Sequence, residues 1–269
     1  MVTMKLNWAD LPESTRDTIT EHTGPITGTQ STAKGMNSEI AVTLDADRGR
    51  FFLKGRRNDH PQAWTQQREA AINPYVVPLA PRLVWALDDG EWNLLVFEHV
   101  DGRPVNYCPG SKDLPRVAEA ISTLSGVHAP ANIEMKQIEQ RLAAYIDRPE
   151  DAALLSGETV LHTDWTPDNV LIHNDAARIV DWAWPTRGAA WVDAACWAVW
   201  LISAGHAPHQ AEQWASKTPA WATTTNRALH VFAAAQARLW TSIAEEAPDT
   251  EWKQSLATAA HQWVTYRRT

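Results

Sequence analysis

Apolar and polar residues alternate through the first hundred positions and then change period. Glu39-Ile-Ala-Val-Thr-Leu-Asp45 puts every second side chain on one face, as a half-buried strand does. Asp47-Arg-Gly-Arg50 supplies turn residues that lead it back into Phe51-Phe-Leu-Lys54, so the two runs predict a hairpin. A second hairpin is predicted from Leu83-Val-Trp-Ala-Leu87, the turn Asp88-Asp-Gly90 and Trp92-Asn-Leu-Leu-Val-Phe97. Between them, Pro61 to Asn73 suits one helix, with Asp59 near its cap, Pro61 in its first turn and Pro74 ending it. After Asp101-Gly-Arg-Pro104 the spacing becomes helical, over Asp113 to Val127 and Met135 to Ile146. Short strands and loops follow, and from Ala190 the chain is Ala- and Trp-rich and mostly helical, with turns near Gly205-His-Ala-Pro208 and Ala247-Pro248.

The expected fold class is therefore α+β with two lobes: a β-rich lobe over 1–100 and a mainly helical lobe over 101–269, with Asp101-Gly102 suited to a hinge. A length of 269 residues agrees, since single domains run to about 100–200. No internal repeat is visible.

Composition narrows the classes. An apolar share of 44% suits a packed core, and 21% charged residues without a charge block argue against disorder. A net charge of −8 disfavours a general nucleic-acid binder, leaving Lys54-Gly-Arg-Arg57 as a local basic patch. Cys108 and Cys196 lie far apart with no CxxC spacing, which points away from a zinc site or disulfide framework and fits a reducing cytoplasm. The first ten residues lack an apolar core of signal-peptide length, and no apolar run is long enough to span a membrane. The expectation is a cytoplasmic monomer or homodimer with neither nucleic acid nor membrane as partner. Tryptophan, at 15, outnumbers Tyr and Phe together at 4 each, and most of it is expected as core filler on helices.

The chemistry concentrates in Val160-Leu-His-Thr-Asp-Trp-Thr-Pro-Asp-Asn-Val-Leu-Ile172, followed by Ile179-Val-Asp-Trp182. This is H-x-D-x-x-x-x-N, then a hairpin, then a further Asp. Phosphoryl transfer needs a carboxylate near the acceptor hydroxyl to orient it and take its proton, and Asp164 sits suitably in a loop after the strand Thr159-Val-Leu161. It also needs oxygen ligands for Mg²⁺, which Asn169 and Asp181 can supply from either side of the hairpin. His162 suits a brace for the loop. Asp and Asn also cap ordinary turns, but the intervening hairpin makes coincidence a poor explanation. A metal-hydrolase reading through His162, Asp164 and His173 lacks zinc-ligand spacing.

On these residues the chain resembles the aminoglycoside phosphotransferase family, also called choline kinase-like, the small-molecule branch of the protein-kinase-like fold. Thr166, where protein kinases usually carry Lys, favours that branch; Asp181-Trp-Ala-Trp184 departs from the family's frequent Asp-Trp-Glu. The resemblance implies ATP and Mg²⁺ as cofactors, Lys54 on the α- and β-phosphates, and Glu69 holding Lys54. It implies a phosphate-covering turn within Thr27 to Ser38, with Gly35 and Ser38 at its end, and an adenine hinge in Val96-Phe-Glu-His-Val100. In that hinge Phe97 lies behind the base, the Glu98 carbonyl accepts from it and the Val100 amide donates to it. Asp193 would tie the preceding loop and cap the following helix.

The acceptor stays open: an aminoglycoside-like antibiotic, an amino alcohol, a sugar or a nucleoside. Trp165 and Trp184 are candidate substrate-stacking residues, or packing. Glu245, Glu246, Asp249 and Glu251 suit a polycation, whereas the end Tyr266-Arg-Arg-Thr269 is basic. The competing readings are a catalytically silent nucleotide-binding protein of the same fold and, less favoured, a protein kinase.

Overall fold

The computed structural model describes residues 5–32 and 38–268. Contacts divide the chain into two compact units, one of residues 1–101 with 179–183 and one of 102–178 with 184–269.

The first unit is a helix against an antiparallel sheet. Helix α1 (Glu13–Thr23) precedes β1 (Ile26–Ser31), β2 (Ile40–Ala46) and β3 (Gly49–Arg57); α2 (Trp64–Val76) then leads to β4 (Leu83–Asp88) and β5 (Trp92–Glu98). The order is β1-β2-β3-β5-β4, so both predicted hairpins are present and β3 pairs with β5 at the centre. Ile40, Val42 and Leu44 alternate inward on β2 and meet Leu53, Leu94 and Val96, with Leu11 and Ile19 closing the cluster.

Helix α1 is absent from the sequence reading, and its buried positions explain why. They are Thr15, Ile19 and Thr23, so its inward face is mostly hydroxyl-bearing rather than aliphatic. Thr23 returns its hydroxyl to the Ile19 carbonyl and Thr15 donates to Asp89 Oδ2, which lets both be buried. Helix α2 starts three residues later than expected and runs through Pro74. Proline in the last turn removes one helical bond, while buried Ile72, Asn73 and Val76 hold that turn in place, and the Asn73 side chain pins Pro81 O and Leu83 N at 2.8 Å each. Lys54-Gly-Arg-Arg57 is no surface patch: Lys54 and Arg56 are buried, and Arg56 is spent on His60 and the Gln62 amide oxygen.

The second unit is mainly helical. It runs through β6 (Arg103–Pro104), α3 (Leu114–Leu124), β7 (Lys136–Gln137), the short α4 (Ile138–Arg141), β8 (Thr159–Leu161), β9 (Val170–His173) and β10 (Ala176–Ile179). It continues with β11 (Thr186–Gly188), α5 (Val192–Ser203), α6 (Pro208–Ala215), α7 (Asn226–Glu246) and α8 (Glu251–Arg268). Two small sheets, β10-β9-β6 and β7-β11-β8, frame the loops that carry the motif. Helix α3 follows its apolar spacing, burying Leu114, Val117, Ala118, Ile121 and Leu124. The long helix expected over Met135 to Ile146 is instead β7, α4 and a 3-10 turn. Lys136 and Gln137 pair in parallel with Thr186 and Arg187, and that tertiary pairing overrides the local periodicity.

Six tryptophans are buried (Trp92, Trp165, Trp182, Trp191, Trp197 and Trp263), fewer than core filler alone predicts; the others are half-buried, apart from exposed Trp252. No described helix is long and apolar enough to cross a membrane.

Two substitutions probe this frame. A Cβ on Gly55 would sit 2.3 Å from Leu94 Cδ2 and 2.5 Å from the Asn93 carbonyl oxygen, and backbone at the sheet centre has no room to yield. Gly55→Ala is expected to cost about 1–3 kcal/mol in urea denaturation. In the second unit Asp113 takes a two-pronged bond from Arg103, 2.7 Å on each oxygen, and accepts Asn106 N–H at 2.9 Å. Arg103 holds this carboxyl below its ordinary range, against the opposing effect of burial. A depressed carboxyl stabilises the fold above its unfolded pKa and loses that contribution as pH falls. The stability gap between wild type and Asp113→Asn should therefore be full at neutral pH and close below about pH 4.

Candidate functional site

The first unit holds a buried ion cluster. Lys54 on β3 points to the face where α2 lies, and its Nζ is 2.8 Å from Glu69 Oε2 and 2.8 Å from Asp181 Oδ1. The Lys54 side chain is 8% exposed and that of Glu69 4%, so neither charge is solvated and each depends on the other. Burial alone would lower the Lys54 ammonium. Attraction to Asp181 and then to Glu69 outweighs it, and the lysine is held charged above its ordinary range. Burial pushes the Glu69 carboxyl up, with Lys54 pulling against it.

The segment after β10 is drawn into this cluster. Glu69 Oε1 accepts Trp182 N–H at 3.2 Å, and the Trp182 indole donates to the Ile179 carbonyl at 2.9 Å. Asp181 between them has φ 65°, a left-handed conformation that costs a non-glycine residue on the order of 1 kcal/mol or more. The bonds on either side hold it there, and that twist turns the Asp181 carboxylate toward Lys54.

The second unit holds the other half of the motif. Leaving β8, the chain passes through His162, Thr163, Asp164 and Trp165, and Thr163 has φ 67°, rare for a β-branched residue. Asp193, wholly buried in the first turn of α5, maintains that turn. Its oxygens accept His162 N–H at 3.0 Å, Thr163 N–H at 2.8 Å and the Trp165 indole at 2.9 Å. Burial pushes the Asp193 carboxyl up, and the three donors pull it back. Asp193 was expected to cap α5; it makes no side-chain cap bond there and serves the Asp164 loop instead. Arg141 at the end of α4 adds a second clamp, donating to Thr163 Oγ1 at 2.9 Å and Thr186 Oγ1 at 2.5 Å.

Within this frame Asp164 is exposed, with Thr166 N–H 3.4 Å from its Oδ1. His162 is buried, and its Nδ1 accepts Asp164 N–H at 3.3 Å, the position of a brace. Asn169 is buried, and its Nδ2 donates to the Asp164 carbonyl at 3.4 Å, so the amide oxygen is the group it offers to a hard cation. From Asn169 the β9–β10 hairpin leads toward Asp181; Asn174 and Asp175 make its turn at φ 48° and 60°, the paired left-handed geometry of a tight hairpin.

Two expected substrate residues read differently in place. Trp165 is wholly buried and bonded to Asp193, so it packs and presents no stacking face. Trp184 is half-buried, and Lys136 Nζ lies 4.4 Å from its ring centroid, so one face already carries a cation. Phe97 is buried at the end of β5; Glu98 N–H donates to the Arg82 carbonyl and His99 N–H to the Arg50 carbonyl, and half-buried Val100 follows. Thr27 to Ser31 lie in β1 rather than in a turn; Gly35 lies outside the described residues, and Ser38 is half-buried. No group of three or more His, Cys, Asp or Glu suited to a metal occurs among the described residues. A magnesium ion that arrives with a nucleotide does not require one, since one or two protein oxygens complete a shell of phosphate and water. Asp193 was expected to tie the loop just before it, and its hold on the distant Asp164 loop, like the clamp of Arg141, escaped the sequence reading because no spacing rule links either residue to position 163.

No protein-family model and no curated protein matches the chain. Solved structures do. Choline kinase LicA from Streptococcus pneumoniae matches with a TM-score of 0.64 at 10% identity, over 94% of this chain and 100% of that one. A thermostable mutant of aminoglycoside phosphotransferase APH(4)-Ia, in ternary complex with ADP and hygromycin B, matches with a TM-score of 0.61 at 12% identity, over 93% and 98%. The GDP complex of aminoglycoside 2'-phosphotransferase-IIIa matches with a TM-score of 0.62 at 14% identity, over 95% and 99%. The chain thus has the kinase-like fold of the aminoglycoside phosphotransferases and choline kinase, as the motif resemblance implied.

Replacing the loop's buried anchor tests the second unit. Asp193→Asn keeps the shape but sets an amide nitrogen against backbone donors, and is expected to lower stability by about 2–3 kcal/mol in urea denaturation.

Proposed function

We propose that the protein is an ATP- and Mg²⁺-dependent phosphotransferase that moves the γ-phosphoryl group to a hydroxyl of a small molecule. One observation carries this reading: Lys54, buried and held charged between Glu69 and Asp181, in a chain of kinase-like fold that also keeps Asp164 exposed on a braced loop. A buried lysine with two carboxylates is costly to keep for packing alone, whereas a phosphate-binding ammonium needs this orientation. The nucleotides in the structures of the aminoglycoside enzymes support the same cofactor class.

The roles follow from the chemistry of each group. Lys54 binds nucleotide phosphate and Glu69 keeps it directed. Asp164 orients the acceptor hydroxyl and takes its proton as the oxygen attacks in line. Asn169 and Asp181 would hold the metal, which supplies charge neutralisation on the phosphates. Phe97, Glu98 and Val100 form the hinge for the base, and Ser38 serves the phosphates.

The acceptor is a small alcohol drawn from aminoglycoside-like antibiotics, amino alcohols, sugars and nucleosides. The choline and aminoglycoside enzymes share cationic alcohols as their named ligands or substrates. Glu245, Glu246, Asp249 and Glu251, all exposed around the α7–α8 junction, suit such a partner. Trp165, one of the two tryptophans considered for stacking an acceptor, is buried.

Millimolar Mg-ATP should raise the melting temperature by several degrees, and ATP consumption should depend on one class in a panel of those four acceptors. Asp164→Asn should cut that turnover by about 10²–10⁴ while leaving the Mg-ATP shift within about twofold in apparent affinity. Absence of any Mg-ATP shift sinks the nucleotide assignment. A shift without acceptor-dependent turnover makes the protein the silent nucleotide binder.

A further inference from the structure

A cleft in the second unit lies among residues that the proposed reaction does not use. It encloses about 240 Å³ between the segment 146–151, helix α7 and the last turns of α8. Val231 and Val264 contribute to an apolar floor, and Arg148, Arg238, Arg267 and Arg268 line it against only Asp147 and Asp151.

The pairing leaves positive charge over. Buried Asp151 accepts from Arg148 Nε at 3.0 Å and also from Arg227, so two cations share one carboxylate. Asp147 pairs with Arg238, whose other terminal nitrogen donates to the Tyr145 carbonyl at 2.5 Å. Arg267, its side chain 7% exposed, pairs with Glu212. Arg268 is exposed at the end of α8. Five arginines thus meet three carboxylates, in a chain whose net charge is −8. A local excess of two positive charges runs against the whole molecule, and structural pairing does not require it.

We propose that this cleft binds a small phosphorylated metabolite, its phosphate against Arg148 and Arg268 and its organic body over the apolar floor. A phosphomonoester carries close to two negative charges at neutral pH, which matches the excess, and the guanidinium fork pairs with phosphate oxygens in two-pronged fashion. The cavity falls just under the roughly 300–1,000 Å³ of drug-sized sites, so a body no larger than a triose or a sugar fits. This is a site separate from the reaction proposed above and does not depend on it.

The test uses the full chain in EDTA, without nucleotide, at constant ionic strength. Melting is followed with glycerol 3-phosphate, inorganic phosphate or succinate at 10 mM. Glycerol 3-phosphate is expected to raise Tm by roughly 2 °C or more, with a smaller rise for inorganic phosphate. The double variant Arg148→Gln, Arg268→Gln should lose both shifts; each side chain is exposed, and Arg227 still pairs with Asp151. If the double variant melts lower on its own, Arg268→Gln alone must weaken apparent affinity by about fivefold or more. No shift with either phosphate, a shift that survives the substitutions, or an equal shift with succinate overturns the proposal.

Discussion

The ammonium of Lys54 between the carboxylates of Glu69 and Asp181 is the interaction on which the first unit's chemistry depends. Each of the three comes from a different element: the central strand β3, helix α2 and the segment that follows β10. With Lys54 and Glu69 almost fully buried, removing Lys54 leaves the Glu69 carboxylate with neither a counter-charge nor water to solvate it. The cluster therefore disciplines its surroundings. It fixes the face on which β3 presents its lysine, the rotation of α2 and, through the Trp182 N–H, the left-handed turn at Asp181.

Asp193 plays the corresponding part in the second unit. One buried carboxylate satisfies two backbone donors and an indole in four consecutive residues, and the Thr163 conformation that starts the Asp164 loop persists because those bonds over-determine it. Each unit thus keeps a residue at positive φ, Asp181 itself in the first and Thr163 beside Asp164 in the second, with a buried acid bonded to the backbone there. Strain of this kind is placed where a carboxylate must face a chosen direction.

The tryptophan content takes on a different meaning in the fold. Trp165 and Trp182, flanking the two acidic positions, are buried supports whose indole donors are used internally. Trp200, Trp240 and Trp252 instead form a mutually packed group with ring centroids 6.1–6.4 Å apart on the helices α5, α7 and α8. An aromatic side chain beside a functional acid is therefore no guide by itself to what a substrate touches.

Local spacing determined the paired hairpins of the first unit, the helix of Leu114 to Leu124 and the loop carrying Asp164, whereas the choice of Lys54 and Glu69 as partners came from the family resemblance. Period-2 and period-3.6 burial leave direct marks on residue order, and Glu69 is the only acidic residue between Asp59 and Asp88. Tertiary structure decided the rest. Helix α1 buries threonines and so shows no aliphatic stripe, and the chain from Met135 gives up a helical pattern to pair with Thr186 and Arg187. Asp193 and Arg141 converge on Thr163 from 30 and 22 positions away, and the burial of Trp165 follows from that convergence. Such assignments depend on which groups meet once water has been excluded, and one-dimensional spacing carries no record of that.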